Sequence, residues 1–204
     1  MLRPGARVLE AGCGRRTRLA GHRDKIAELI GLDIDARAGA ENDALDQFVH
    51  ADLCSRLPFG DARFEVVYAN FVVEHLDRPA AAFREWRRVL RPDGALILLT
   101  SNQANPPLLV ARLIPAAGRT SLKRLGVGVA AHDVLPLRYR ANTPWRLAAL
   151  LRGAGFAPVE VSYVATLHRY AQRQPRLAAA LRLLERGLLP ELLSTIVGLY
   201  RAAD

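Results

Sequence analysis

The stretch VLEAGCGRRTRLA, residues 8–20, runs from apolar side chains into two closely spaced glycines, Gly12 and Gly14. It reads as a buried strand that ends at a bound group. Neither glycine has a Cβ, so the backbone can pass close to a ligand, and the start of the next segment offers free N–H groups. The next two positions, where a further small residue would be expected, are Arg15 and Arg16. An arginine there must turn outward, toward solvent or a carboxylate.

Outward from this stretch, short apolar runs alternate with helical ones. ARVLEAG, ELIGLDID, QFVHADL, FEVVYANF and ALILLTS are candidate strands, and ARAGAENDAL and PAAAFREWRRVL candidate helices. The second of these helices carries Pro79 in its first turn, where a missing N–H costs nothing, and RPDG stops it. Strands without polar alternation are buried on both faces, as in a parallel sheet with helical crossovers. After Ser101 the pattern loosens. HDVLPLRYRAN reads as a polar loop, and Thr143 as a cap for a helix that opens at Pro144. FAPVEVSYVA alternates as a sixth strand, RLAAALRLLERGLLPELL is helical with a break at Pro190, and STIVGLYRA suits a final strand.

Two acids strengthen the reading of the glycine turn. Asp33 ends the second strand and can accept hydrogen bonds from ribose hydroxyls. Asp52 lies just past the third strand, placed to accept a bond from an adenine amino group. Glycines or acids at three successive strand ends are hard to obtain by chance, although strand ends favour Gly and Asp for turns in any case.

The block LPFGDARFEVVYANFVVEHL, together with VLEAGCG, IGLDID, ADL and AAFREWRRVLRPDGALILLTSN, resembles the class I S-adenosylmethionine-dependent methyltransferases of the small-molecule group, over about residues 6–103. The resemblance implies an open, doubly wound, mostly parallel seven-stranded sheet, with STIVGLYRA antiparallel beside the fifth strand. It implies S-adenosyl-L-methionine as cofactor, with contacts from Glu10, Gly12, Gly14, Asp33, Asp52, Leu53 and Asn70. A nicotinamide dehydrogenase would want a glycine at Thr17 and leaves Asp52 unexplained. Such methyltransferases also carry helices before their first strand, whereas five residues precede Ala6 here. The start is truncated or the C-terminal half supplies the cover.

The expected organisation is one domain. Residues 1–103 form a cofactor-binding half. Residues 104–204 form a substrate-side half, with a helical cover at about 165–191 and a last strand at about 194–202. Methyl transfer needs a base only when a proton must leave, and His75, in VVEHL, is the candidate. In some quinone-directed relatives Glu and His hold a metal with an acid three positions before the Glu. That position is Phe71 here, so no metal is expected. Arg138, Tyr139 and Arg140 are candidates to hold a polar or anionic small-molecule substrate. His168 and Tyr170 are weaker candidates.

The net charge of +9 is uneven. Residues 1–100 carry 15 basic and 15 acidic side chains, and residues 101–204 carry 14 and 5, so the whole excess lies in the second half. A basic half suits an acidic substrate or an anionic lipid surface. The sparse aromatics argue against binding single-stranded nucleic acid. Two cysteines, no apolar run that spans a bilayer and no visible signal segment point to the cytoplasm. Two rival readings remain: a non-catalytic cofactor-binding or partner protein, and a peripheral membrane enzyme acting on a lipid or quinone.

Overall fold

The computed structural model describes residues 4–113, 136–171 and 174–203. His132 and Asp133 of the HDVLPLRYRAN segment lie outside the described residues. The strands are β1 (Ala6–Ala11), β2 (Ile26–Asp33), β3 (Gln47–His50), β4 (Phe64–Asn70), β5 (Leu90–Ser101), β6 (Phe156–Val164) and β7 (Thr195–Ala202). They form one sheet in the order β3-β2-β1-β4-β5-β7-β6. β1 to β5 pair in parallel, and β7 runs antiparallel to both β5 and β6. This is the mostly parallel seven-stranded sheet expected from the sequence, with the last strand beside the fifth.

Among the described residues the helices of two turns or more are α1 (Pro79–Val89), α2 (Pro106–Leu113), α3 (Pro144–Gly153) and α4 (Pro175–Arg186). ARAGAENDAL yields one helical turn, Ala38–Glu41. On α1, Ala82, Phe83, Trp86 and Val89 fall on one face, as the 3.6-residue period dictates, and all four are buried. They pack with Leu147 and Leu151 of α3 and with Leu9, Ile30, Val67, Leu96 and Leu98 from one face of the sheet. The other face has a thinner core, built from Val8, Leu29, Val66 and Tyr68 with Leu19 above them and half-buried Ile97 and Leu99 at its margin.

Two local expectations need correction. RPDG ends α1, but the fifth strand already starts at Leu90. Phe64 pairs with Leu90 and Val66 with Ala95, so the four residues form an irregularity inside the ladder. Thr143 sits at the N-cap of α3 with extended backbone, yet its side chain caps nothing. Its backbone carbonyl accepts from Leu147 N–H at 2.9 Å, while its buried hydroxyl oxygen has no partner.

Candidate functional site

The order of the sheet reverses between β1 and β4, and in open α/β sheets ligands bind beyond the strand ends at such a point. The two loops meet there. Gly12 has φ +71°, and a Cβ on it would collide with the side chain of Val72, beyond β4. Gly14 has φ +55° with open space where its Cβ would be. Gly12 is therefore fixed by packing against protein. Gly14 leaves a cradle into which a bound group can come close.

Asp33 holds this turn. Its Oδ2 accepts the Gly14 N–H at 2.9 Å and its Oδ1 accepts the Asp35 N–H at 2.9 Å. Each carboxylate oxygen keeps a second lone pair free for a ligand hydroxyl. Asn42 Nδ2 donates to the Gly14 carbonyl at 3.2 Å and is buried, a contact with no signal in the sequence. Arg15 leans over the turn toward Glu41, at 3.4 Å, and Asp35, at 4.0 Å. Arg16 is exposed, so the residue that departs from the expected small side chain points away from the turn.

Glu10, near the end of β1, is buried, and its Oε2 has no hydrogen-bond partner. Burial pushes its carboxyl up to about 7, against the opposing pull of the Thr17 hydroxyl and the Arg18 backbone. Burial, then Asp33 and Glu10, push the Cys13 thiol up to about 12, so it is inert at neutral pH. Asp52 is exposed and closes its own turn, accepting from Cys54 N–H at 2.8 Å and Ser55 Oγ at 3.3 Å. Leu53 beside it is buried. Asn70 ends β4 half-buried. Phe71 follows with φ +52° and a 41% exposed ring, a left-handed conformation that costs a non-glycine residue about 1–2 kcal/mol.

Glu74 and His75 are neighbours in the short turn after β4, and the structure separates their roles. The Glu74 carboxylate turns inward and accepts the Thr100 hydroxyl at 2.8 Å, while Asn142 Nδ2 donates to the same Thr100 oxygen at 2.6 Å. Burial raises the Glu74 carboxyl above its ordinary range. The Glu74 carbonyl accepts from the N–H groups of Arg138, at 2.8 Å, and Tyr139, at 3.0 Å, which fastens the 136–143 loop to the end of β4. His75 Nδ1 lies 3.3 Å from the Pro136 carbonyl. A carbonyl only accepts, so Nδ1 carries the proton and Nε2 is left as a base. Arg138 Nε pairs with Asp77 at 2.9 Å, and Arg140 reaches the same carboxylate at 3.9 Å. Tyr139 between them has φ +52°. His168 sits apart in the short turn Leu167–Ala171, with its Nδ1 buried and unpartnered.

A glycine turn after β1, acids after β2 and β3, and an antiparallel β7 inserted beside β5 define the class I methyltransferase fold. Residues 9–98 match the family model described as a methyltransferase domain. The chain is 38% identical over 98 residues to the malonyl-[acyl-carrier protein] O-methyltransferase of Enterobacter lignolyticus, an alignment covering 47% of this chain and 39% of that one. It is 27% identical over 191 residues to the demethylmenaquinone methyltransferase of Clavibacter sepedonicus, covering 86% and 77%. A solved S-adenosylmethionine-dependent methyltransferase from Mesorhizobium loti shares the fold with a TM-score of 0.67 at 20% identity, covering 98% of this chain and 93% of that one. The chain spans 39–42% of the length of the three malonyl-[acyl-carrier protein] methyltransferases it matches. No helix of the described residues is long and apolar enough to cross a membrane.

Proposed function

We propose that the protein is an S-adenosylmethionine-dependent methyltransferase that methylates a small-molecule acceptor on oxygen or nitrogen. The observation that carries the reading is the turn at Gly14. Its backbone is tied to Asp33, and the space where a Cβ would stand is open. The residues around it suit an adenosyl group joined to an amino acid. Asp33 offers acceptor lone pairs for ribose hydroxyls, Asp52 lies beyond β3 for the adenine amino group, and Leu53 gives an apolar wall. Glu10, with an oxygen left without a partner, and Asn70 supply polar groups near the ends of the two strands that flank the reversal.

Bound there, S-adenosylmethionine supplies the methyl group and the positive charge that makes it electrophilic. The chain's part is to align the acceptor and remove its proton when it has one. His75 Nε2 takes that proton, with Pro136 fixing the ring by its carbonyl. Arg138, Tyr139 and Arg140 hold the acceptor, their backbone set by the Glu74 carbonyl. The relatives above are named for a malonyl group on acyl-carrier protein, which ends in a carboxylate, and for demethylmenaquinone. The two buried free cysteines support a cytoplasmic setting.

Calorimetry with S-adenosylhomocysteine tests the reading. The parent binds, and Asp33→Ala weakens binding by about 1–3 kcal/mol, because hydroxyl donors lose a charged acceptor. A folded parent that gives no heat overturns it. A lipid or quinone acceptor presented by a membrane is a second reading, favoured by Leu137 in the 136–143 loop and Trp145 in the first turn of α3, 53% and 65% exposed. Turnover on a quinol held in vesicles, with none on soluble acceptors, would carry it.

A further inference from the structure

Beside the Arg138–Arg140 loop lies a second feature, which shares Arg140 with the methyl-transfer reading but whose other arginines that reading does not use. A groove of about 460 Å³ runs between the first turns of α1 and α3. Four arginines line it, Arg78, Arg84, Arg140 and Arg146, with Asp77 the one acid among its lining residues. Asp77 is already engaged by Arg138 and Arg140. Arg78, Arg84 and Arg146 have no carboxylate partner among the described residues, in a molecule where Arg7, Arg23, Arg63, Arg88 and Arg91 all have one. The groove therefore concentrates like charges that repel one another until an anion enters.

The backbone adds to this charge. α1 opens at Pro79 on the wall of the groove, and α3 contributes Arg146 and Leu150 to it. Neither first turn contains an acidic residue, and neither N-cap side chain bonds to the helix. The positive end of α1 therefore faces this space. Guanidinium groups converging beside a helix N-terminus match tetrahedral, multiply charged oxyanions better than a single carboxylate, because arginine forks bind such oxygens two at a time.

We propose that this groove binds a phosphoryl group, carried by a soluble phosphoester or diphosphate or by a lipid headgroup. The inference concerns binding alone and stands whether or not methyl transfer is the reaction. It is tested on the full chain at low ionic strength by calorimetry with inorganic pyrophosphate, and by sedimentation with phosphatidylcholine vesicles with and without phosphatidylglycerol. Arg84→Gln/Arg146→Gln is compared with Arg176→Gln/Arg182→Gln on α4, which removes the same charge elsewhere.

The parent is expected to bind pyrophosphate or the anionic vesicles. The groove variant should bind about tenfold or more weakly, the loss of charge-assisted hydrogen bonds, while the α4 variant keeps parental affinity. Pyrophosphate binding without vesicle binding identifies a soluble ligand, and vesicle binding without pyrophosphate binding identifies a headgroup. Binding of neither probe, or equal loss in both variants, overturns the proposal. S-adenosylhomocysteine binding measured on the same samples separates the readings. If it persists while both anionic probes fail, only the groove proposal falls. If it is absent while the groove binds, only the methyltransferase reading falls.

Discussion

The first hundred residues and the described part of the remainder are built on different terms. In the first, strands are buried almost end to end, as in β1 and β4, and arginines pair with acids of the same half: Arg7 and Arg91 with Glu65, Arg23 with Asp46, Arg88 with Glu85 and Asp61. In the second, β6 is an edge strand whose middle is exposed, guarded by Pro158 and a register shift before Glu160. Its two ion-paired arginines, Arg138 and Arg140, draw on Asp77 of the first half. The first half spends its polar groups on fixing one backbone geometry. The described part of the second leaves more charge and apolar surface exposed, as at Leu137, Trp145, Leu183 and Leu189.

The sharpest way to break this contrast is at β7, the one strand of the second half enclosed in the sheet. Deleting residues 194–204 removes the partner of both β5 and β6 together with buried Ile196 and Tyr200. The expected outcome is loss of cooperative unfolding in a thermal melt. A deletion variant that melts like the parent would show that the halves are separable.

Next in size is Glu10. Its carboxyl is raised in the folded protein to about 7, above its ordinary value, so between about pH 4.5 and 7 the native state holds a proton that the unfolded chain has released. Stability from this group is fully present below that window and declines as pH rises through it, by on the order of 3 kcal/mol. Glu10→Gln should flatten the profile and melt higher than the parent at pH 8. Denaturant titrations at pH 5 and pH 8 measure both.

For chemistry, His75→Ala should lower turnover about 100-fold with S-adenosylhomocysteine affinity held. Single-turnover kinetics on an identified acceptor would read it, and unchanged turnover would return His75 to packing. A smaller pair separates scaffold from site within one turn. Gly12→Ala meets Val72 at a positive φ and should cost about 1–3 kcal/mol of stability. Gly14→Ala carries the positive-φ strain but meets no atom, so it should lose less stability than Gly12→Ala and lose cofactor affinity besides. Smallest of all, Arg16→Gly should change stability by no more than about 0.5 kcal/mol and leave cofactor affinity unchanged, because its side chain points into solvent.

Apolar patterning made the strands legible. VLEA, LIGLD, FEVVYAN and ALILLTS could not be solvated, and the β-branched STIVGLYRA found its place in the ladder. Gly12 and Gly14 were legible because a strand that ends in such residues needs their backbone freedom. What stayed hidden depends on groups far apart in the chain. Nothing periodic marks Glu74 turning in to Thr100, or Asn42 reaching the Gly14 carbonyl. The left-handed Phe71 and Tyr139 carry no turn residue to betray them. The groove combines Arg78 and Arg84 with Arg140 and Arg146, brought together by α1 packing on α3. Thr143 shows the reverse case, a cap signal in the sequence that the structure does not use.

The placement of β7 also sets an order of events at the ribosome. Ser101 pairs with Thr195, about ninety positions later. Translation delivers β1 to β5 first, and until the last strand emerges β5 has no neighbour on its outer side. During that interval a newly made chain presents the bare flank of Leu96, Leu98 and Thr100 to the other nascent chains on the same message. Yield during expression should therefore depend on how fast the codons between β5 and β7 are read and on chaperone supply, more steeply than the stability of the finished protein would suggest.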